Sequence, residues 1–112
     1  MKNIDQIKER FLKEPFNMRL GHLASDLARI ATFSDENAIK DLIEESKFFI
    51  EWVAREASFD VKVLLAGMQS KLALCQRRIL TQKANNSDLE DLKEAAKAWS
   101  EKLVEISAML VV

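Results

Sequence analysis

Apolar residues recur every three or four positions along most of this chain, the spacing that places them on one face of an α-helix. The pattern is clearest near the C-terminus, where it includes Leu89, Leu92, Ala96, Trp99, Leu103, Ile106 and Leu110. A similar stripe lies upstream and consists of Val61, Leu65, Met68, Leu72, Cys75 and Ile79. Both stripes predict helices that bury one face against other helices.

Breaks in this pattern and residues suited to helix caps set the boundaries of the predicted elements. Pro15 cannot lie inside a helix without the loss of a backbone hydrogen bond. Asp60 is the expected N-cap of one helix, and Ser87 with Glu90 has the spacing of a capping box. The sequence predicts a short helix before Pro15 and four longer ones, with bounds of about 4–13, 16–33, 35–57, 60–83 and 88–110.

Composition and charge favour an all-α fold. Two glycines and one proline leave little of the turn chemistry that β-hairpins require. The predicted long helices alternate between net positive and net negative charge along the chain, so that neighbours in sequence attract each other. Because their connections are short, successive helices should be antiparallel. We expect one domain, 1–112, built as a four-helix up-and-down antiparallel bundle after a short N-terminal helix.

Several classes of protein are excluded by composition. Gly21 and Gly67 are the two glycines, which cannot form a Gly-rich phosphate loop. One histidine and one cysteine cannot supply the ligands of a structural zinc site. The apolar runs are far shorter than the ~20 residues of a membrane-spanning helix, and no secretory signal is recognised at the N-terminus. We therefore expect a cytoplasmic protein without enzyme activity, cofactor, metal or membrane contact.

An excess of apolar surface on the third predicted helix suggests an interface. Phe48 and Trp52 extend this surface beyond what one helix seam buries, and Phe59 and Met109 are expected to continue it. Soluble monomers seldom leave large apolar patches in water, so we expect these residues to form the contact of a homodimer. Two alternatives remain. An apolar ligand can occupy the bundle core, or the N-terminal helix covers the patch with Ile4, Ile7 and Phe11.

Basic residues provide an alternative function. No acidic residue lies between Val61 and Ser87, and the basic residues there that fit a phosphate-binding face are Lys62, Arg77, Arg78 and Lys83. The predicted outer face of this helix also carries Gln69 and Gln76 and no aromatic side chain for stacking on bases. The same charges are explained by attraction to the acidic helices on either side.

Three further residues are candidates for chemistry: His22, Asp26 and Cys75. His22 and Asp26 share a helix face, and a His–Asp pair is a candidate oriented base. Their face lies opposite the apolar stripe, however, which predicts a solvated histidine in a surface salt bridge. Cys75 occupies a core position, where a thiol acts as a small apolar filler with a raised pKa.

Two stretches of the chain read LGHLASDLARI (20–30) and ESKFFIEW (45–52). They resemble small uncharacterised helical proteins of cyanobacteria. The resemblance implies a helical bundle and a cyanobacterial source, and it implies no activity and no functional residue. The function expected from the sequence is a non-enzymatic interaction or scaffold module that self-associates, with a small nucleic-acid-binding regulator as the alternative.

Overall fold

A computed structural model describes residues 3–81 and 85–110. These residues form five helices and no strand, which confirms the all-α prediction for the described part of the chain. The helices are α1 (Ile4–Leu12), α2 (Phe16–Thr32), α3 (Glu36–Ala54), α4 (Phe59–Leu80) and α5 (Asn86–Met109). Each predicted boundary lies within three residues of the observed one.

Two helices begin earlier than predicted, α4 at Phe59 and α5 at Asn86. The hydroxyl of Ser58, and not Asp60, caps α4 by accepting a hydrogen bond from the Val61 N–H at 3.4 Å. The N-terminal capping box of α5 pairs Asn85 with Asp88, so the box predicted for Ser87 is wrong. Both helices start earlier than their apolar stripes because a first turn needs only a polar cap. The Asp60 carboxylate lies in the exposed first turn of α4 and forms no ion pair with the residues that the structure describes.

The core lies among the four longer helices and includes Phe11 of α1. α2 packs against α3 and, most extensively, against α5, while α4 contacts α3 and α5. The α2 side chains in this core are fully buried and comprise Leu20, Leu23, Leu27 and Ile30. Ser100 and Ser107 of α5 donate hydrogen bonds of 2.8 Å to the carbonyl oxygens of Ala24 and Asn17 of α2. These bonds fix the position of α5 along α2.

Candidate functional site

Trp52, predicted to be an exposed interface residue, is buried beneath α1. Its exposed fraction is 8%. The Phe11 ring of α1 stacks on Phe49 with their centroids 4.4 Å apart, and it lies 5.6 Å from the Trp52 ring. The Lys8 ammonium lies 5.8 Å from the centroid of the same indole, within range of a cation–π interaction. The prediction that Trp52 is available to a second chain is therefore wrong, because the N-terminal helix already covers it.

The other three residues of the predicted patch lie in different surroundings. Phe48 is half-buried and stacks on Trp52, with ring centroids 5.6 Å apart. Phe59 begins α4 and Met109 ends α5, and both side chains are exposed. These two remain available to another molecule.

An apolar stripe that the sequence pattern did not reveal runs along the exposed side of α4. We define the α4 outer face as Phe59, Val63, Ala66, Gly67, Ser70 and Leu74, all of which are exposed. Their spacing places them on one side of the helix. The three large side chains are 78% (Phe59), 57% (Val63) and 49% (Leu74) exposed. The opposite side of α4 supplies Leu65, Met68, Leu72 and Ile79 to the core, so this helix is apolar on two sides.

The outer side of α4 is rotated from its predicted position. Gln69 and Gln76, expected to face outward, both contact Lys47 of α3. The Lys47 ammonium donates a 2.8 Å hydrogen bond to Gln76 Oε1, and Gln69 Nε2 donates a 3.4 Å bond to the Lys47 carbonyl oxygen. The expectation that the outward face carries no aromatic residue is also wrong, because Phe59 lies there.

The basic residues of α4 do not form one uniform surface. The Arg78 guanidinium pairs with the Asp88 carboxylate of α5 at 2.6 Å, as expected from attraction between neighbouring helices. Lys62 and Arg77 are exposed, and Lys83 lies outside the described residues. Lys62 lies on one flank of the apolar stripe, and Arg77 lies at its C-terminal end, in line with Phe59. Apolar side chains bordered by charges are more typical of a protein contact than of a phosphate-binding surface. Binding of nucleic acid stays a prediction.

A polar cleft of about 280 Å³ lies among α1, α2 and α3. Its lining includes Arg10, Glu14, His22, Ser25, Asp26, Arg29 and Glu45. The His22 Nε2 lies 2.8 Å from Glu14 Oε2, and both side chains are partly exposed. This agrees with the prediction of a surface histidine beside a carboxylate. The partner is Glu14, so the structure gives no support to a His22–Asp26 base.

Asp26, expected to be solvated, is 2% exposed. Burial raises the pKa of its carboxyl group to about 8, and the nearby Glu45 carboxylate acts in the same direction. The Arg29 guanidinium, 3.4 Å away, lowers this pKa by a smaller amount. Among the described residues, Asp26 Oδ2 has no hydrogen-bond partner, whereas Oδ1 accepts a bond from Arg29. Asp26 therefore holds its proton to a higher pH than an exposed carboxyl group does.

Cys75 is half-buried, and burial is the main cause that raises the pKa of its thiol. This environment favours the neutral thiol over the nucleophilic thiolate. In residues 3–81 and 85–110, no group of three or more His, Cys, Asp or Glu side chains is arranged to hold a metal ion. Within the same ranges, no helix has both the length and the apolar character needed to cross a membrane.

Comparison with protein-family models, with curated proteins and with solved structures gives no match. The resemblance to cyanobacterial helical proteins therefore stays a prediction. The candidate site rests on the geometry of the chain, and its two parts are the α4 outer face and the polar cleft around Asp26.

Proposed function

We propose that this chain is a non-enzymatic protein–protein interaction module that self-associates through the α4 outer face. The observation that carries the proposal is the exposure of Phe59, Val63 and Leu74 along one line of a helix whose opposite side is already buried. Keeping apolar surface in water is unfavourable by roughly 25 cal/mol per Å². Burial of this line against a second chain recovers that free energy.

The proposal includes an up-and-down antiparallel arrangement of α2, α3, α4 and α5. Its support is the reversed order of contacts along α2. Asn17 and Ala24 bond to Ser107 and Ser100 of α5, so the later residue of α2 meets the earlier residue of α5. The α2 residues near the α3 region show the same reversal, because Arg19 is paired to Glu56 and Asp26 lies near Glu45.

In such a bundle α4 lies diagonal to α2, because its described contacts are with α3 and α5. Its outer face then points away from the other helices and is accessible along its whole length. The cytoplasmic location expected from the sequence is part of this proposal, and it stays a prediction.

Replacement of Val63 by glutamate tests the surface. The dimer should weaken at least about tenfold, since an unpaired carboxylate in an apolar contact loses its hydration. The measurement is the molar mass across a range of protein concentrations by light scattering after size-exclusion chromatography. Helical circular dichroism should be retained, because Val63 is exposed and contributes little to the core.

A matched control is Val104→Glu on α5. Val104 is 56% exposed, against 57% for Val63, and lies on a different helix. This variant should associate as the wild type does. A wild-type chain that stays monomeric at all concentrations, or an equal loss of association in the two variants, would contradict the proposal.

A further inference from the structure

The α4 outer face is symmetric about its midpoint, which lies between Ala66 and Gly67. Residues at equal distances on either side of this point form the pairs Phe59 with Leu74, Val63 with Ser70, and Ala66 with Gly67. If two copies of α4 cross in opposite directions here, Phe59 of each copy meets Leu74 of the other, and Val63 meets the small side chain of Ser70. Such self-complementarity is what a two-fold contact between identical chains requires.

The centre of the face also permits a close approach. Ala66 and Gly67 are exposed and small, and a Cβ atom built on Gly67 would meet no atom of the chain within 4 Å. The bulky side chains Phe59 and Leu74 lie toward the two ends of the face. Two helices can therefore meet at the small residues while their larger residues pack around the crossing point.

Charge favours the same pairing. Asp60 and Lys71 are exposed and lie on the same flank of the outer face, because eleven residues correspond to about three full helical turns. Neither forms an ion pair within the described part of the chain. In an antiparallel two-fold pair, each flank meets the same flank of the other copy. Asp60 and Lys71 lie on opposite sides of the midpoint, at distances that differ by two residues, or about 3 Å along the helix. Asp60 of each copy therefore lies near Lys71 of the other, which gives two attractive pairs.

Lys62 does not oppose this arrangement. It lies on the other flank of the face, about half a turn from Lys71 around the helix axis. The symmetric position on that flank is close to Ala73, which carries no charge. Lysine side chains of the two copies are therefore kept apart.

From this symmetry and charge pattern we infer that the occupant of the α4 outer face is a second copy of this chain. The two α4 helices cross antiparallel between Ala66 and Gly67, and Asp60 of each copy forms an ion pair with Lys71 of the other. The inference rests on the proposed self-association. It further specifies the orientation of the two α4 helices and the residues that meet between them.

A mixing experiment with two charge-reversal variants tests the register. Asp60→Lys alone places two lysines together at both sites, and Lys71→Asp alone places two carboxylates together. Each variant should associate about tenfold more weakly than the wild type, since two exposed attractions become two repulsions. An equimolar mixture should form the heterodimer, because every opposed pair in it is of opposite charge. Native mass spectrometry distinguishes the heterodimer from both homodimers by mass.

The control mixture pairs Asp60→Lys with Lys62→Asp, which reverses a charge on the other flank. This mixture should show no preference for the heterodimer. Thermal unfolding of each variant is recorded alongside, because Asp60 lies in the first turn of α4.

The outcomes separate the register from the proposed function. A wild-type dimer that Val63→Glu weakens, together with charge variants that pair no differently from the wild type, overturns the register and leaves self-association through the α4 outer face standing. A wild-type chain that remains monomeric overturns both. Both the register and the proposed function are supported if the heterodimer is preferred in the mixture of Asp60→Lys with Lys71→Asp and is not preferred in the control mixture.

Discussion

Replacement of Trp52 by glutamate should unfold the chain instead of dissociating a dimer. The indole is enclosed by the rings of Phe11, Phe48 and Phe49. Loss of a buried ring of this size destabilises a core by about 3–5 kcal/mol, and a carboxylate in the same place adds the cost of burying an unpaired charge. Small domains have total stabilities of about 5–15 kcal/mol, so most of the stability should be lost.

Urea unfolding followed by circular dichroism measures this loss. Val104→Glu serves again as the exposed control and should change the free energy of unfolding by no more than about 0.5 kcal/mol. A Trp52→Glu chain with the unfolding midpoint of the wild type would show that α1 does not cover this residue.

The second large effect concerns pH. The free energy of unfolding should decrease as the pH rises from about 4 toward 8, because the pKa of Asp26 is raised to about 8 in the folded chain and is about 3.9 in an unfolded one. Between these values the native state holds a proton that the unfolded state has lost, so a rising pH favours unfolding. Each unit of pKa difference corresponds to about 1.4 kcal/mol, which makes Asp26 a major source of pH dependence.

Two substitutions isolate this effect. Asp26→Asn should remove most of the slope, because the amide is close to the carboxyl group in size and does not ionise in this pH range. Glu45→Gln should flatten the slope only in part, since burial is the larger cause of the raised pKa of Asp26. The measurement is urea unfolding at several pH values between 4.5 and 8.5, in the same range for all three chains. A wild-type stability that increases over this range would contradict the buried, protonated state of Asp26.

The helices could be predicted from the sequence, but which surfaces remain exposed could not. Apolar spacing and Pro15 located all five helices of the described residues. A helical wheel gives the direction in which each side chain points. It does not show how many other helices pack against that helix. α2 is contacted by both α3 and α5, and a cleft with α1 forms on its remaining side. Asp26 comes three residues after Leu23 and four before Ile30, so it lies beside the apolar stripe and is buried there; the expectation that its face lies opposite the stripe is wrong.

The α4 outer face was missed for a related reason. One apolar stripe was sufficient to explain α4 as part of a bundle, and the expected N-cap at Asp60 left Phe59 outside the helix. With Ser58 as the cap, Phe59 becomes the first residue of α4 and aligns with Val63 one turn later. The signal was present in the spacing of Phe59, Val63 and Leu74. The stripe becomes visible only when α4 begins at Phe59.

The packing of α1 on α3 has a consequence for the order in which the chain folds. Phe11 and its stacking partner Phe49 are separated by thirty-eight positions, so during synthesis α1 leaves the ribosome well before the rings it covers. Contacts between distant positions require closure of a long loop, which slows their formation. α1 should therefore dock late, after α2 and α3 have met, and until then Phe49 and Trp52 are open to chaperones and to other nascent chains.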